Sequence, residues 1–347
     1  MGLFSFLNRK QTKAWSDLVI LEKEQMSGDF TVFTLEKLEN SDFDTAFIPG
    51  QYVTLEIESG AQPLRRSYSI CGKTESGFKI GVKRIEGGIM SSYLHDKAQK
   101  GETIRVHEPE GNFTIEEEHK ICAFVAGSGI TPVISMLESH QGKKNFNVFY
   151  NTKRLNDVVF KDHLAEIGAT VYLSQESKEG YKSGRLGYDA LMNELKDNLS
   201  LLQSDAYLLC GPEAFMAEIE RCLLFFGVPE GKIRKEFFIP PSKPEASAPQ
   251  NDSVQESRLT VVLDGQTTEI TVTSKKKTVL ELLESAKLDP PYSCRGGVCS
   301  SCKAKITSGT AQMRQNFTLT DKELADGYVL TCQAEITSPQ ITLTFDA

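Results

Sequence analysis

Three cysteines stand close together in "YSCRGGVCSSCKAKI" (Cys294, Cys299 and Cys302), and a fourth, Cys332, follows downstream. Four thiolates make a soft tetrahedral donor set, and the spacing C-x4-C-x2-C with a distant fourth cysteine is a ligand pattern for a [2Fe–2S] cluster. The neighbouring residues suit that use. A loop wrapped round an inorganic core must turn backbone N–H groups towards its sulfurs, and Gly296 and Gly297 allow the close approach and the φ values this takes. Zinc is the rival for four cysteines, but a zinc ribbon normally offers two C-x2-C knuckles and this chain offers one. A Rieske centre needs two histidines, and all five in the chain (His95, His107, His119, His140, His163) precede the cysteine loop. Cys71, Cys122 and Cys222 have no such context and read as core thiols.

A cluster moves one electron at a time, whereas a nicotinamide cofactor delivers a hydride. A chain that couples the two needs a flavin between them, and the segments before the cysteine loop are the place to find both nucleotides. Residues 17 to about 116 run in short alternating stretches such as "FTVFTLEKL", "QYVTLEIE" and "FKIGVKRI", separated by turn residues. They predict an antiparallel sheet that closes into a β-barrel. From about 119, strands alternate with helical stretches ("KICAFVAG" then "ITPVISMLES", "NFNVFYN" then "DVVFKDHLAEI", "DAYLLCG" then "EAFMAEIERCLLFFG"), which predicts a parallel α/β sheet. Residues 239–256 are rich in Pro, Ser and Ala without apolar periodicity and read as a semi-rigid linker, reaching up to roughly 60 Å if extended, on which the last module is expected to swing. Beyond it come a hairpin ("RLTVVLDG", "TTEITVT"), a helix around "TVLELLESA", the cysteine loop and a last strand "QITLTF". The expected domains are therefore 1–116, 117–238 and 257–347.

Two stretches in the barrel segment and two in the α/β segment are candidates for nucleotide binding. "RRSYSI" holds Arg66-Ser67-Tyr68-Ser69, and "EGGIMSSYL" holds Gly88, Ile89, Met90 and Ser91; taken singly, each is no more than strand surface or turn. "FVAGSGITPVISML" is an apolar strand, a Gly127-Ser128-Gly129 turn and a helix that begins near Thr131 with Pro132 in its first turn. A helix start of that kind offers free N–H groups to a pyrophosphate, although a bare Gly-Ser-Gly turn is commonly only a turn. "LLCGPEAFM" ends a strand on Cys210-Gly211-Pro212, where a buried thiol is the plain alternative.

Together and in this order, these motifs resemble the ferredoxin–NADP reductase superfamily, and residues 257–347 resemble a plant-type [2Fe–2S] ferredoxin domain, whose family fold is a β-grasp. The resemblance spans about residues 15–347. It implies that Arg66 lies at the flavin pyrophosphate, that Ser67 is among the cofactor-binding residues, that Tyr68 lies against the isoalloxazine and ribityl chain, and that Ser69 lies near flavin N5. It places Gly88 and Ser91 at the pyrophosphate, with Ile89 and Met90 among the cofactor-binding residues, and Gly127, Ser128, Gly129 and Thr131 at the nicotinamide cofactor's phosphates. It sets Cys210, Gly211 and Pro212 where the nicotinamide meets the flavin, with Ser69 and Cys210 as the catalytic pair, and Phe237 where the second domain closes on the flavin. The family usually holds FAD and some relatives hold FMN. Cys294, Cys299, Cys302 and Cys332 are the implied cluster ligands. The domain order, with the ferredoxin last, resembles oxygenase reductases of the phenylacetyl-CoA epoxidase kind. It implies electron flow from NADPH or NADH through FAD and the cluster to a protein acceptor, a multicomponent oxygenase or a desaturase.

Lys153 and Arg154 end the second α/β strand with no Asp or Glu to take a ribose 2′-hydroxyl, so a 2′-phosphate and NADPH are expected there, although Gln175 stands where NADP-using relatives often carry an arginine. A net charge of −8 argues against general affinity for nucleic acid or an anionic membrane, and no apolar stretch approaches the ~18 residues of a membrane span. The start "MGLFSFLNRK" lacks the basic residue and the apolar length of a signal peptide, so a cytoplasmic protein with reduced cysteines is expected. Two readings of another class remain beside the reductase: a non-enzymatic redox sensor, and a zinc-stapled interaction protein with a decayed reductase core.

Overall fold

The computed structural model describes residues 15–39, 41–59, 62–241, 257–272 and 276–347. The first 14 residues and the linker from 242 onward lie outside them, and so does the expectation of a swinging tether. The described residues fall into two compact units, 16–241 and 257–347.

The first unit opens with a closed barrel in the order β1-β2-β5-β4-β3-β6. Its strands are β1 (Trp15–Ser27), β2 (Phe30–Lys37), β3 (Tyr52–Ser59), β4 (Gln62–Lys73), β5 (Gly77–Lys83) and β6 (Thr103–His107), and helix α1 (Ile89–Asp96) follows β5. Alternation along β2 serves two cores at once. Phe33 and Leu35 point into the barrel, whereas Phe30 and Val32 point outward into a second cluster shared with the α/β layer. All eight residues of this strand but its last two are buried for that reason. The boundary read near 116 therefore separates two folds but not two hydrophobic cores: Phe30, Cys71 and Phe113 pack with Ile130, Val133 and Met136.

The second layer is a six-stranded sheet in the order β10-β9-β8-β7-β11-β12, with every pairing parallel. The strands are β7 (Lys120–Ala126), β8 (Asn145–Thr152), β9 (Thr170–Leu173), β10 (Lys182–Ser183), β11 (Ala206–Cys210) and β12 (Ile233–Glu236); the helices are α2 (Thr131–Ser139), α3 (Lys161–Glu166), α4 (Tyr188–Asp197) and α5 (Glu213–Phe225). β7 is a continuous apolar run because helices or barrel cover both its faces: Ile121, Ala123 and Val125 pack on one side and Cys122 and Phe124 on the other. The helix read from "DVVFKDHLAEI" starts only at Lys161. Val158, Val159 and Phe160 are spent in the core, and Phe160 takes a left-handed φ of 54° as the chain enters the helix.

The second unit holds a five-stranded sheet in the order β14-β13-β19-β15-β17 and a two-stranded β16-β18 ribbon. The strands are β13 (Ser257–Leu263), β14 (Gln266–Val272), β15 (Lys303–Ser308), β16 (Ala311–Met313), β17 (Tyr328–Leu330), β18 (Ala334–Ile336) and β19 (Gln340–Thr344), with helices α6 (Val279–Ser285) and α7 (Asp321–Ala325). The hairpin turns on Asp264 and Gly265, both at positive φ (52° and 73°), the backbone that a two-residue turn between twisted strands prefers. Thr278 and Glu281 cap α6 reciprocally, and its Val279, Leu282 and Leu283 cover the sheet. Cys71, Cys122 and Cys222 are buried core thiols, and burial pushes all three upward, Cys222 to about 11.

Candidate functional site

Pairing of β3 with β4 sets Tyr68 opposite Val53 and Ser69 opposite Tyr52. Arg66 and Tyr68 share one face of the strand by alternation, and Ser67 and Ser69 share the other. Two consecutive arginines take different tasks. Arg65 is buried and ion-paired to Glu56 at 2.6 Å, while Arg66 is exposed, its guanidinium donating to the Arg65 carbonyl at 2.7 Å. Tyr68 is half-buried against the barrel cluster, and Ser69 is 5% exposed. Burial raises the Tyr68 phenol well above its ordinary value, against a smaller lowering by Arg66, so the ring is a neutral aromatic face.

The turn into α1 is built by Ser91. Its Oγ accepts the Ile85 N–H at 3.1 Å and donates to the Gly88 carbonyl at 3.4 Å, and a Cβ on Gly88 would lie 2.6 Å from it. No side chain caps this helix, so its first-turn N–H groups face outward as donors for an anion. Ile89 is exposed at that turn, whereas the Met90 side chain packs inside the barrel and leaves only its backbone for a ligand.

In the parallel sheet, the winding reverses between β7 and β11, which opens a crevice at the carboxyl ends of those strands. Both candidate turns meet there. Gly127 has φ +57°, a Cβ on Gly129 would stand 2.2 Å from the Cys210 carbonyl oxygen, and one on Gly211 would stand 2.9 Å from Ala126 Cβ. Thr131 closes the first turn by donating to the Ser128 carbonyl at 2.9 Å. Pro212 is the residue before α5. A cavity of about 290 Å³ opens beside the turn, lined by Gly127, Ser128, Lys153, Arg154 and Gln175 from the α/β layer and by Asp29 and Lys83 from the barrel. Lys83 and Asp29 escaped the sequence reading, because a lysine at the end of a strand has no local signature; only the packing of barrel on sheet brings it to the Gly127 turn.

Cys210 is fully buried and lies in register with Glu236 on β12, Sγ to Oε2 3.9 Å. Burial, with the Glu236 carboxyl second, pushes the Cys210 thiol far up, so it stays protonated and neutral. Desolvation pushes the Glu236 carboxyl up to about 8, against a smaller lowering by the Cys210 thiol. A raised carboxyl keeps its proton in the folded protein while the unfolded chain loses it, so stability should fall as pH rises from about 4.5 towards about 8. Glu236→Gln should match wild type in melting temperature at pH 5 and exceed it at pH 8.5. A parallel pH dependence in both proteins would show that Glu236 is not the group responsible. Phe237 packs partly against the β11–α5 cluster, and Phe238 is 43% exposed.

In the second unit the four sequence-distant thiols converge. Cys294 Sγ lies 3.0 Å from Cys299 Sγ and also meets Cys332, which in turn meets Cys302. The Cys299 and Cys332 thiols and the N–H groups of Gly296 and Cys299 all point at Cys294 and hold its thiol far below the usual range. Gln333 ties the loop to the last ligand: its Nε2 donates to the Arg295 carbonyl at 3.0 Å and to Cys332 Sγ at 3.5 Å. Arg295 and Gly297 take positive φ (55° and 75°), which turns the loop's N–H groups inward. Four gathered sulfurs with backbone donors aimed at them fit a [2Fe–2S] cluster.

Comparison with known proteins matches three family models: the oxidoreductase FAD-binding domain over residues 17–115, the oxidoreductase NAD-binding domain over 124–221, and the 2Fe-2S iron-sulfur cluster binding domain over 261–337. A component of the 1,2-phenylacetyl-CoA epoxidase of Escherichia coli K12 is 31% identical over 87% of this chain and 89% of its own length. The ferredoxin reductase component of 3-ketosteroid-9-alpha-monooxygenase from Mycobacterium tuberculosis is 32% identical over 86% of each chain. Phthalate dioxygenase reductase shares the fold, with a TM-score of 0.60 at 23% identity over 96% of this chain and 98% of that one.

Proposed function

Because this chain belongs to the ferredoxin–NADP reductase superfamily, among the oxygenase reductases with a C-terminal plant-type [2Fe–2S] domain, we propose that its electrons leave for the oxygenase component of a multicomponent system. It is an NAD(P)H-dependent oxidoreductase whose three domains would hold NAD(P)H, FAD and a [2Fe–2S] cluster; bound there, FAD would supply the conversion between a hydride pair and the single electrons that a cluster can carry. In this reading Arg66 and the first turn of α1 hold the flavin pyrophosphate, and Tyr68 covers the flavin's ring system. Ser69 and Cys210 flank the hydride path, with Glu236 positioning the Cys210 thiol. The Gly127–Gly129 turn takes the nicotinamide cofactor's pyrophosphate, and Cys294, Cys299, Cys302 and Cys332 hold the iron. The observation that carries the reading is that two nucleotide sites and a four-thiol loop occur in one chain. A sensor would need the loop alone. A visible spectrum of the purified protein tests it: flavin and cluster bands together are expected, and a cluster without flavin, or neither, would contradict it.

Lys153 and Arg154 are exposed on the cavity wall, with the Arg154 N–H bound to Asp157 Oδ2 at 3.1 Å. Two cations beside a ribose favour a 2′-phosphate, each charge-assisted contact being worth ~1.5–3 kcal/mol. NADPH should therefore give a higher kcat/KM than NADH, and Lys153→Ala with Arg154→Ala should erase the difference. A wild-type preference for NADH would refute the assignment. No helix among the described residues is long and apolar enough to cross a membrane.

A further inference from the structure

Asp29 is the one carboxylate of the barrel that lines the nucleotide cavity, and its neighbours give it a definite task. It sits in the turn between β1 and β2, where its carbonyl accepts the Arg84 N–H at 2.6 Å and its Oδ1 accepts the Ser27 hydroxyl at 3.1 Å. Its other oxygen lies 3.5 Å from Lys83 Nζ, with both side chains partly exposed. That ammonium stands 3.6 Å from where a Cβ on Gly127 would be, directly beside the phosphate turn. Asp29 also borders a second cleft, with Arg84, Gly87 and Ser92 at the entry to α1. A single carboxylate thus stands at the walls of both sites assigned here to pyrophosphates.

Asp157 also lines the cavity, but its carboxylate accepts the Arg154 N–H at 3.1 Å, whereas Asp29 faces Lys83 beside the glycine turn. We propose that Asp29 sets release of the oxidised nicotinamide nucleotide: it competes with the nucleotide's pyrophosphate for Lys83 and repels that pyrophosphate once bound. The inference rests on the reading that this cavity takes the pyrophosphate of NAD(P)H. In the free site, Asp29 neutralises Lys83 and keeps the ammonium over the turn. When the nucleotide enters, Lys83 turns to the phosphates, and Asp29 keeps only Ser27 and faces a like charge. Both side chains are partly exposed, so the effect on affinity should weaken as salt screens the charges.

The test is equilibrium binding of NADP+ and of NAD+ to the oxidised holoenzyme, read by calorimetry. Asp29→Asn keeps the shape and the Ser27 contact and removes the charge; it should bind both nucleotides roughly tenfold more tightly at low salt, with most of the gain gone at 0.5 M NaCl. Asp29→Glu, which retains the charge, should stay within about twofold of wild type and guards against a folding artefact in the first variant. Asn binding equal to or weaker than wild type, with Lys83→Gln still weakening the nucleotide, would overturn the role of Asp29 alone. If Lys83→Gln also left both Kd values unchanged, the cavity would not be the nucleotide site, and the underlying reading would fall with the proposal.

Discussion

Replacing Cys299 by serine should abolish electron delivery to a protein acceptor while leaving NAD(P)H oxidation by ferricyanide intact. Cys299 is buried and belongs to the group of four thiols, 3.0 Å from Cys294. A serine hydroxyl is a hard, weakly acidic donor in place of a soft thiolate, so the cluster should be lost or badly destabilised. The candidate nucleotide sites belong to a different compact unit, and among the described residues its core clusters contain none from the cysteine loop. Reduction of cytochrome c should drop by more than about a hundredfold, the upper range for disturbing even an outer partner of a metal ligand. Ferricyanide reduction should stay within about twofold, because that acceptor can take electrons at the flavin. Unchanged cytochrome c reduction, or loss of ferricyanide reduction in a variant that keeps its flavin, would break the assigned order of carriers.

The converse variant, Arg66→Ala with Ser69→Ala, should lose both activities and keep the cluster spectrum. Arg66 is the exposed member of the arginine pair, and its charge-assisted contacts to a pyrophosphate are worth ~1.5–3 kcal/mol each. Ser69 is buried, and in the reading proposed above its hydroxyl meets a flavin ring nitrogen. Together they should cost on the order of a hundredfold in FAD affinity. The barrel should survive, because its core is held by Phe33, Leu35, Ile70 and Phe78, and its buried ion pair uses Arg65. Arg65→Ala is the instructive contrast: it should destabilise the barrel, since it removes a buried guanidinium and leaves Glu56 with only the exposed Arg105, at 3.4 Å. Retention of FAD at wild-type affinity in the double variant would remove Arg66 and Ser69 from the flavin site.

The cluster loop was legible because metal ligation imposes a short, rigid spacing on residues that have few other uses. The two glycine turns were legible as turns; that Gly129 meets Cys210 became visible only when β7 and β11 paired. α4 left a helical signature, Leu191 and Leu195 one turn apart, yet its polar intervening residues hid it among loop-like sequence. Lys83, Asp29 and Glu236 were illegible for one common reason. Each acts across a contact between segments far apart in the chain, and such a contact writes no pattern into either segment. The short α3 shows the opposite error, in which an apolar run of helical character was claimed by the core before the helix could start.

The most direct test of the electron path is anaerobic addition of NADPH to three proteins, with the flavin followed by its visible absorbance and the cluster by electron paramagnetic resonance. Wild type should show flavin bleaching and a reduced-cluster signal, Cys299→Ser bleaching alone, and the Arg66→Ala, Ser69→Ala variant neither, with its oxidised cluster intact and reducible by dithionite. A cluster that NADPH reduces in the flavin-deficient variant, or one that stays oxidised in wild type after the flavin is fully bleached, would contradict the path from nucleotide through flavin to iron.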